Sequence, residues 1–476
     1  MSTMSYPSIS TAPMSRRSFV RGLTGGLGAL ALEQLLGRDA LAAGFSSPVG
    51  APHFAPRAKR VIYLTMNGGA SQVDMLDPKP KLVAHDGQLC PDELFVGKTL
   101  AFIRERPTLL GSRYAFAPHG QSGIEVSELL PHFAEIVDDV TVIRSMRTDE
   151  FNHTPAELLL LTGIGRFGRP SLGTWVAYGL GSENADLPAF VALLCTQGQP
   201  PSGIGSWGAG FLPSRYQGVE FRGVGDPVLF IANPPGVSQD DQRATIDAVN
   251  SLNTMTHERT HDPEVETRIA QYELAFRMQM SVPEATDIWR EPPEIHEMYG
   301  TTPGKLSFAN QCLLARRLTE RGVRFVQLFD PGWDDHSGIF SMLPMHCREV
   351  DRAMAALVRD LKQRGLLDDT LVVWGGEFGR TPMNEARNGS LFLGRDHHPR
   401  AFTMWVAGGG VKKGVTIGET DDLGYNITRD PVDVHDLHAT LLHLLGVDHK
   451  RLTYRHQGRE FRVTDVSGEV VHDLIA

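Results

Sequence analysis

Cysteine is scarce and scattered, four in 476 residues (Cys90, Cys195, Cys312, Cys347), with no CxxC or CxxH pair among them. That spacing excludes a zinc ribbon and a disulfide framework and leaves buried thiols, or at most one bridge. Basic runs are missing after residue 58, and the formal net charge is -10. A general nucleic-acid binder, which neutralises phosphates with clustered Lys and Arg, is therefore disfavoured. No stretch beyond the leader reaches the roughly eighteen apolar residues of a membrane span. What is there is ordinary globular composition, 41% hydrophobic and 21% charged. The chain is long enough for one large α/β core or two domains.

The N-terminus reads as an address. Ser15-Arg16-Arg17-Ser18-Phe19-Val20 precedes a weakly apolar, Gly-rich segment from Gly22 to Leu36, and then the small residues Ala40-Leu41-Ala42-Ala43. That order matches a twin-arginine export signal. Residues 1–43 are expected to be the signal and residues 44–58, rich in Ser, Pro and Ala, a linker. Residues 59–476 are expected to form one domain acting in the periplasm or outside the cell.

Within that domain, short apolar runs stop abruptly at polar residues and glycines. Val61 to Met66 ends in Asn67-Gly68-Gly69, and Leu371 to Trp374 ends in Gly375-Gly376-Glu377, with Arg380 just beyond. Val323 to Phe329 is followed by Asp334 and His336. Runs this short and this β-branched read as buried strands, and a parallel sheet keeps its site at such strand ends. The paired glycines after Trp374 are expected to turn the chain sharply. His397 and His398 return twenty residues later, completing the carboxylate and imidazole mixture that a Zn-like or Mn-like cation accepts.

Other segments are read for organisation. Val140 to Ile143 is expected as a strand, and Ser171 to Leu180, Gln239 to Glu258, Val265 to Met280, Leu306 to Arg321, Leu343 to Arg364 and His435 to Leu445 as helices. Val126 to Asp138 carries helical spacing as well. Pro188 to Leu194 and Phe402 to Ala407 read as strands, residues 200–300 as an insertion or cover, and Leu452 to Ala476 as an extended tail. His153 and Thr154 fall at the start of the apolar helix Ala156 to Leu161, where free N–H groups favour an anion. Asp74 and Asp77, beside prolines, read as turn residues. His435, His438 and His443 read as packing residues.

Gly375-Gly376-Glu377-Phe378-Gly379 after its strand resembles the sulfatase segment that delivers a metal-binding Asp. His153-Thr154-Pro155-Ala156-Glu157 through Thr162-Gly163 is spaced like the sulfatase signature, and Asp436 to Gly446 is similar to the late sulfatase helix. The twin-arginine leader, Met66-Asn67-Gly68-Gly69, Gly332-Trp333-Asp334 with His336, Gly376 to Pro382 and Tyr454 to Phe461 together resemble the domain-of-unknown-function fifteen-oh-one family. That family is a sulfatase-like branch of the alkaline phosphatase superfamily. The resemblance implies an α/β/α sandwich with a largely parallel central sheet, one or two divalent ions (Zn, Mn, Ca or Mg) and hydrolysis of sulfate or phosphate esters, small or glycan. It implies metal ligands at Asn67, Asp334, His336, Glu377 and His398 or His397. His153 stands where sulfatases carry the Cys or Ser that becomes formylglycine, and Glu157 replaces its supporting Arg.

The expected chemistry is transfer to Thr154, or to water if His153 is a ligand or base, with Arg380 clamping the anion. The missing sulfatase nucleophile leaves a second reading open, a non-catalytic exported binding or cell-envelope protein on the same scaffold.

Overall fold

The computed structural model describes residue 50 and residues 52–228, 231–385 and 391–476. The expected signal and most of the linker lie outside them. The described residues belong to one compact unit.

The centre is a nine-stranded sheet. From one edge it runs Val415–Ile417, Val140–Arg147, Phe402–Ala407, Thr370–Gly375, Arg60–Asn67, Phe325–Pro331, Phe190–Leu194 and Val219–Phe221, and Val432–Asp433 adds to Val140–Arg147. Every pairing is parallel except those of Phe402–Ala407, which runs antiparallel to both neighbours. Arg60–Asn67 sits in the middle, with Thr65 opposite Gly375 on one side and Asn67 opposite Pro331 on the other. Its buried run has no alternation because both faces are covered. On one face Val61, Tyr63 and Val373 pack with Leu160, Trp175, Leu437 and Leu441 from the helices His153–Thr162, Leu172–Leu180 and Val434–Leu444. Phe308–Glu320 packs against the sheet as well, and Ile339–Gln363 packs against that helix. The fold is the expected mixed α/β architecture with a largely parallel central sheet. No helix among the described residues is long and apolar enough to cross a membrane.

Most expected strands and helices form within a few residues of their expected bounds, and the exceptions have physical causes. Val126 to Asp138 is not a helix: it holds the strand Ile124–Ser127 and the short turns Phe133–Glu135 and Val137–Asp139. Pro131 interrupts it, and Asp138 spends its carboxylate on the N–H groups of Gln121 and Ser122. Asp77 lies in a bend as expected, whereas Asp74 does not sit in a turn, and both are buried. Asp74 lies in the short helix Gln72–Met75, fully buried and ion-paired to Arg395 at 2.8 Å, and buried Asp77 meets Lys79 and Thr420.

The tail is not simply extended, since Tyr454–His456 and Arg459–Phe461 form a hairpin. Gly375 and Gly376 do not take a left-handed turn. They are small because a Cβ on Gly376 would stand 2.6 Å from the Met66 carbonyl and one on Gly375 would strike Met404. The left-handed positions are Gly68 and Gly69, at φ 120° and 87°. A Cβ on Gly68 would fall 2.5 Å from the backbone nitrogen of Asp334, so two strand ends meet there.

Candidate metal centre

Five chain segments converge beyond the carboxyl ends of the central strands, where an open α/β sheet leaves a crevice. Arg60–Asn67 delivers Asn67 and Gly68, the segment after Phe325–Pro331 delivers Asp334 and His336, and the turn after Thr370–Gly375 delivers Glu377. The loop after Val140–Arg147 leads to His153 at the first position of its helix. A two-stranded ribbon, Gly379–Asn384 with Arg395–His398, supplies the rest and sets His397 opposite Arg380.

The loop that presents Asp334 is fastened at its base. Trp333 donates its backbone N–H to the Asn67 carbonyl at 3.1 Å and its indole N–H to Asp330 at 3.0 Å. Burial raises Asp330 to about 6, against the pull of that indole bond.

Three imidazoles then face one carboxylate oxygen. Asp334 Oδ1 lies 2.8 Å from His336 Nε2, 3.1 Å from His397 Nε2 and 3.3 Å from His153 Nε2. On each ring the other nitrogen is occupied by a group that only accepts. His153 Nδ1 meets Glu377 Oε1 at 2.8 Å, His397 Nδ1 meets the Phe151 carbonyl at 2.6 Å, and His336 Nδ1 meets Glu385. An acceptor at Nδ1 places the proton there and leaves the Nε2 lone pair for the centre, which is how ligating imidazoles are oriented. His153 Nε2 is buried and makes no aligned hydrogen bond among the described residues despite its nearness to Asp334. The ligating atoms available from His153, Asp334, His336 and His397 all fall within 4.8 Å of one another, a spacing one cation can bridge.

The electrostatics agree. Burial would raise the Asp334 carboxyl, but the imidazoles of His153, His336 and His397 around its Oδ1 and the Arg380 charge hold it far below the usual carboxylate range. Burial opposes a proton on His153, yet Asp334 and Glu377 raise it to about 9. His336 is also raised, by Asp334 and Glu385 against its burial. His397 is lowered by burial and then by Arg380 and the other two rings, against the pull of Asp334.

The remaining expected residues have other partners. Asn67 gives its amide N–H to Glu157 at 2.8 Å, and its Oδ1 is buried without a partner among the described residues. Glu377 is fully buried, accepts from Gly68 N–H at 2.9 Å and from His153, and its Oε2 is likewise unpartnered. His398 is not in the group, because successive side chains of a strand point to opposite faces. Its ring is turned to the Tyr425 carbonyl at 2.8 Å and burial lowers it to about 4.

Arg380 is not an open anion clamp. Its guanidinium is buried and bonded to the carbonyls of Gly68, Gly69, Trp333 and Arg395, and to Asp334 Oδ1 at 2.5 Å. Thr154 is next to His153 on the helix, and its hydroxyl faces the Pro201 carbonyl at 3.4 Å.

Three contributors escaped the sequence reading. Glu385 and the Phe151 carbonyl lie far from their imidazoles in sequence, and nothing local marks them. Phe102 stands edge-on to His336 and His397 at 5.0 and 5.3 Å. Glu157, visible only as a replacement for Arg, is fully buried. Burial and then the Glu377 charge raise it to about 7, against donors from Ser202 and Ser206. Beside the cluster lies a cavity of about 950 Å³ whose lining includes Arg147, Asp149, Phe151, Arg400, Asn426 and His435. It shares the Phe151 wall with His397.

The model of the family described as "Protein of unknown function (DUF1501)" matches residues 58–475. No curated protein matches the chain. Among solved structures it is similar to the PsFucS1 sulfatase from Pseudoalteromonas sp., at 13% identity and TM-score 0.36 over 82% of this chain and 68% of that one. It is also similar to the alkaline phosphatase of the Antarctic bacterium TAB5, at 11% identity and TM-score 0.32 over 78% and 96%. A third similarity is to the phosphonate monoester hydrolase SpPMH from Silicibacter pomeroyi, at 12% identity and TM-score 0.31 over 82% and 73%. Likenesses at these scores carry no argument about the site, whose chemistry rests on its own geometry.

Proposed function

The chain belongs to the DUF1501 family, and from the site in its fold we propose that it is a metal-dependent hydrolase of phosphate or sulfate esters. One observation carries the reading: three imidazoles turn their Nε2 atoms to a single carboxylate while acceptors pin each Nδ1. Imidazole and carboxylate are the donors that Zn-like and Mn-like ions accept, so the residues present fit a divalent cation held by His153, Asp334, His336 and His397. When bound, such an ion supplies Lewis acidity toward an ester oxygen.

The chain's own groups then bind and orient. Asp334 is half-exposed, so the centre is open to a substrate. The helix that starts at His153 takes no side-chain cap from Asn152, so the positive end of its dipole and the backbone N–H groups of His153 and Thr154 face an anion there. Glu377 holds His153 in orientation from below, and Arg380 fixes Asp334 to the backbone of two strand ends. Of the two attackers the sequence suggests, water is favoured over Thr154, whose hydroxyl is turned to the Pro201 carbonyl. The polar cavity behind Phe151 is sized for the rest of a small or glycan ester. Export by the twin-arginine route is part of the same proposal, and replacing Arg16 and Arg17 by Lys would retain the precursor in the cytoplasm.

The binder reading keeps one specific support, since Arg380 is engaged on all sides and offers no clamp. Metal analysis of the purified protein, followed by a screen of phosphate and sulfate esters, decides between them. Stoichiometric metal with ester turnover that Asp334→Asn abolishes is the expected result. No metal after reconstitution sinks the hydrolase. Metal without turnover of any ester leaves a binding protein.

A further inference from the structure

The loop from Thr99 to Arg104 is fastened beside the metal centre without help from its largest apolar side chain. Leu100 and Ile103 are buried in a small core with Val73, Leu82 and Tyr425. Asp396, fully buried, accepts the backbone N–H groups of Phe102 and Ile103 at 2.8 and 3.1 Å through one oxygen and that of His397 at 2.8 Å through the other. One carboxylate thus ties the Phe102 backbone to the ribbon strand that carries His397. The Arg104 guanidinium donates to the carbonyls of Leu100 and Ala101 at 3.1 and 2.8 Å and stiffens the loop further. Ala101 and Ile103 are 6% and 5% exposed, whereas Phe102 between them is 42% exposed.

The Phe102 ring stands nearly perpendicular to those of His336 and His397, with centroids 5.0 and 5.3 Å away. These are two of the three imidazoles whose Nε2 atoms face half-exposed Asp334. Three residues earlier, Thr99 lines the same polar cavity as Phe151. An aromatic ring left partly in water forgoes some of its burial energy, and this loop does not need it as an anchor. A group that extends from the centre across His336 and His397 would cover it. Phosphate and sulfate have no apolar surface to offer. The organic group of the ester has one, and a cyclic group presents a face or an edge to an aromatic ring.

We propose that Phe102 is a specificity-determining residue, the wall that receives a cyclic organic group of the ester whose anionic part lies at the metal centre. This role rests on the ester-hydrolase reading and adds to it the class of group that the ester carries.

The test is calorimetric binding of anions that an ester hydrolase does not cleave, phenyl-, cyclohexyl- and methylphosphonate and the three matching sulfonates, to the metal-loaded protein. Wild-type protein is expected to bind a ring-bearing anion at least about tenfold more tightly than its methyl counterpart. The phenyl form binding best marks an aryl ester, and the cyclohexyl form a saturated ring such as a sugar. Phe102→Ala is expected to bring the ring-to-methyl ratio to within about twofold of one, and Phe102→Tyr, which keeps the ring, to hold it within about threefold of the wild-type value. Were Phe102 only a prop for the two imidazoles, Phe102→Ala would weaken metal and every anion alike and leave the ratio unchanged, a result that overturns the role. Equal binding of ring-bearing and methyl anions by the wild type, or binding of none of them while metal is held, also overturns it and leaves the metal centre standing. Absence of metal overturns both, because the hydrolase reading then fails first.

Discussion

Two arginine–aspartate pairs hang from the same two-stranded ribbon, and they do opposite things. Arg395 and Asp74 are both completely buried and meet through two bonds, at 2.8 and 3.1 Å. Arg395 adds the carbonyls of Leu110 and Thr381, and Ser71 completes Asp74. Arg380, one strand away, is equally buried, but its partner Asp334 is 44% exposed and shares one oxygen with three imidazoles. In the first pair the strong donors and acceptors are spent on each other, which is a structural lock. In the second, three imidazole nitrogens crowd one accessible carboxylate oxygen that Arg380 already bonds, which leaves lone pairs for a cation. Counting which atoms are spent separates a lock from a site where residue type does not.

That contrast can be broken at either end. The largest effect is expected from Asp74→Ala, which leaves the Arg395 charge buried and unpaired and should cost about 3–5 kcal/mol in chemical denaturation. Metal content of the folded fraction should not change. Asp334→Ala should do the reverse, losing more than about a hundredfold in metal affinity by competition with a chelator, with unfolding moved less than in Asp74→Ala because four backbone carbonyls still hold the Arg380 guanidinium. If Asp334→Ala instead unfolds the protein as Asp74→Ala does, the two pairs are alike and the site reading fails.

Glu385→Gln sharpens the comparison by keeping all four candidate ligands and changing only the acceptor behind His336. Metal affinity should fall about ten- to a hundredfold, and Glu385→Asp should recover part of it. An unchanged affinity would mean that the Glu385 bond does not orient the ring.

The smallest effect is a control from an imidazole outside both corners. His438 is fully buried with its Nε2 at the Leu160 carbonyl, and burial lowers it from 6.5 to about 3. The folded chain therefore refuses a proton that the unfolded chain accepts below pH 6.5. Its contribution is complete above pH 6.5 and is lost as the pH falls from there toward about 3. His438→Gln should flatten the stability profile in that window and leave metal binding alone. A profile as steep as that of the wild type would rule His438 out as its source.

How much of this was legible beforehand follows the range of the forces involved. Asn67, Glu377, Asp334 and His336 stand at the ends of apolar runs, a local pattern that betrays a buried parallel strand and the site beyond it. The neighbours His397 and His398 could not be told apart, because which face each takes depends on the register of the ribbon against Arg380 and Gly379. Arg380 had the right type for an anion clamp, and only the packed loops show that backbone carbonyls consume it. The stretch from Val126 to Asp138 had helical spacing, but the hydrogen bonds of Asp138 to a distant turn outweighed it.

The sequence by itself determined the order of strands and helices, their buried faces and the acidic, cysteine-poor character of the chain, because these depend on short-range spacing and composition. It also placed Asn67, Glu377 and the pair Asp334 and His336 at three strand ends. Only the tertiary structure decided which imidazoles meet one oxygen, which arginine is a lock, and that Glu385 and a backbone carbonyl aim the rings. Most of those choices are made by contacts between residues far apart in the sequence, as between Glu385 and His336, Asp334 and His397, or Asp74 and Arg395, where angles and tenths of an ångström settle the outcome and no local pattern carries them.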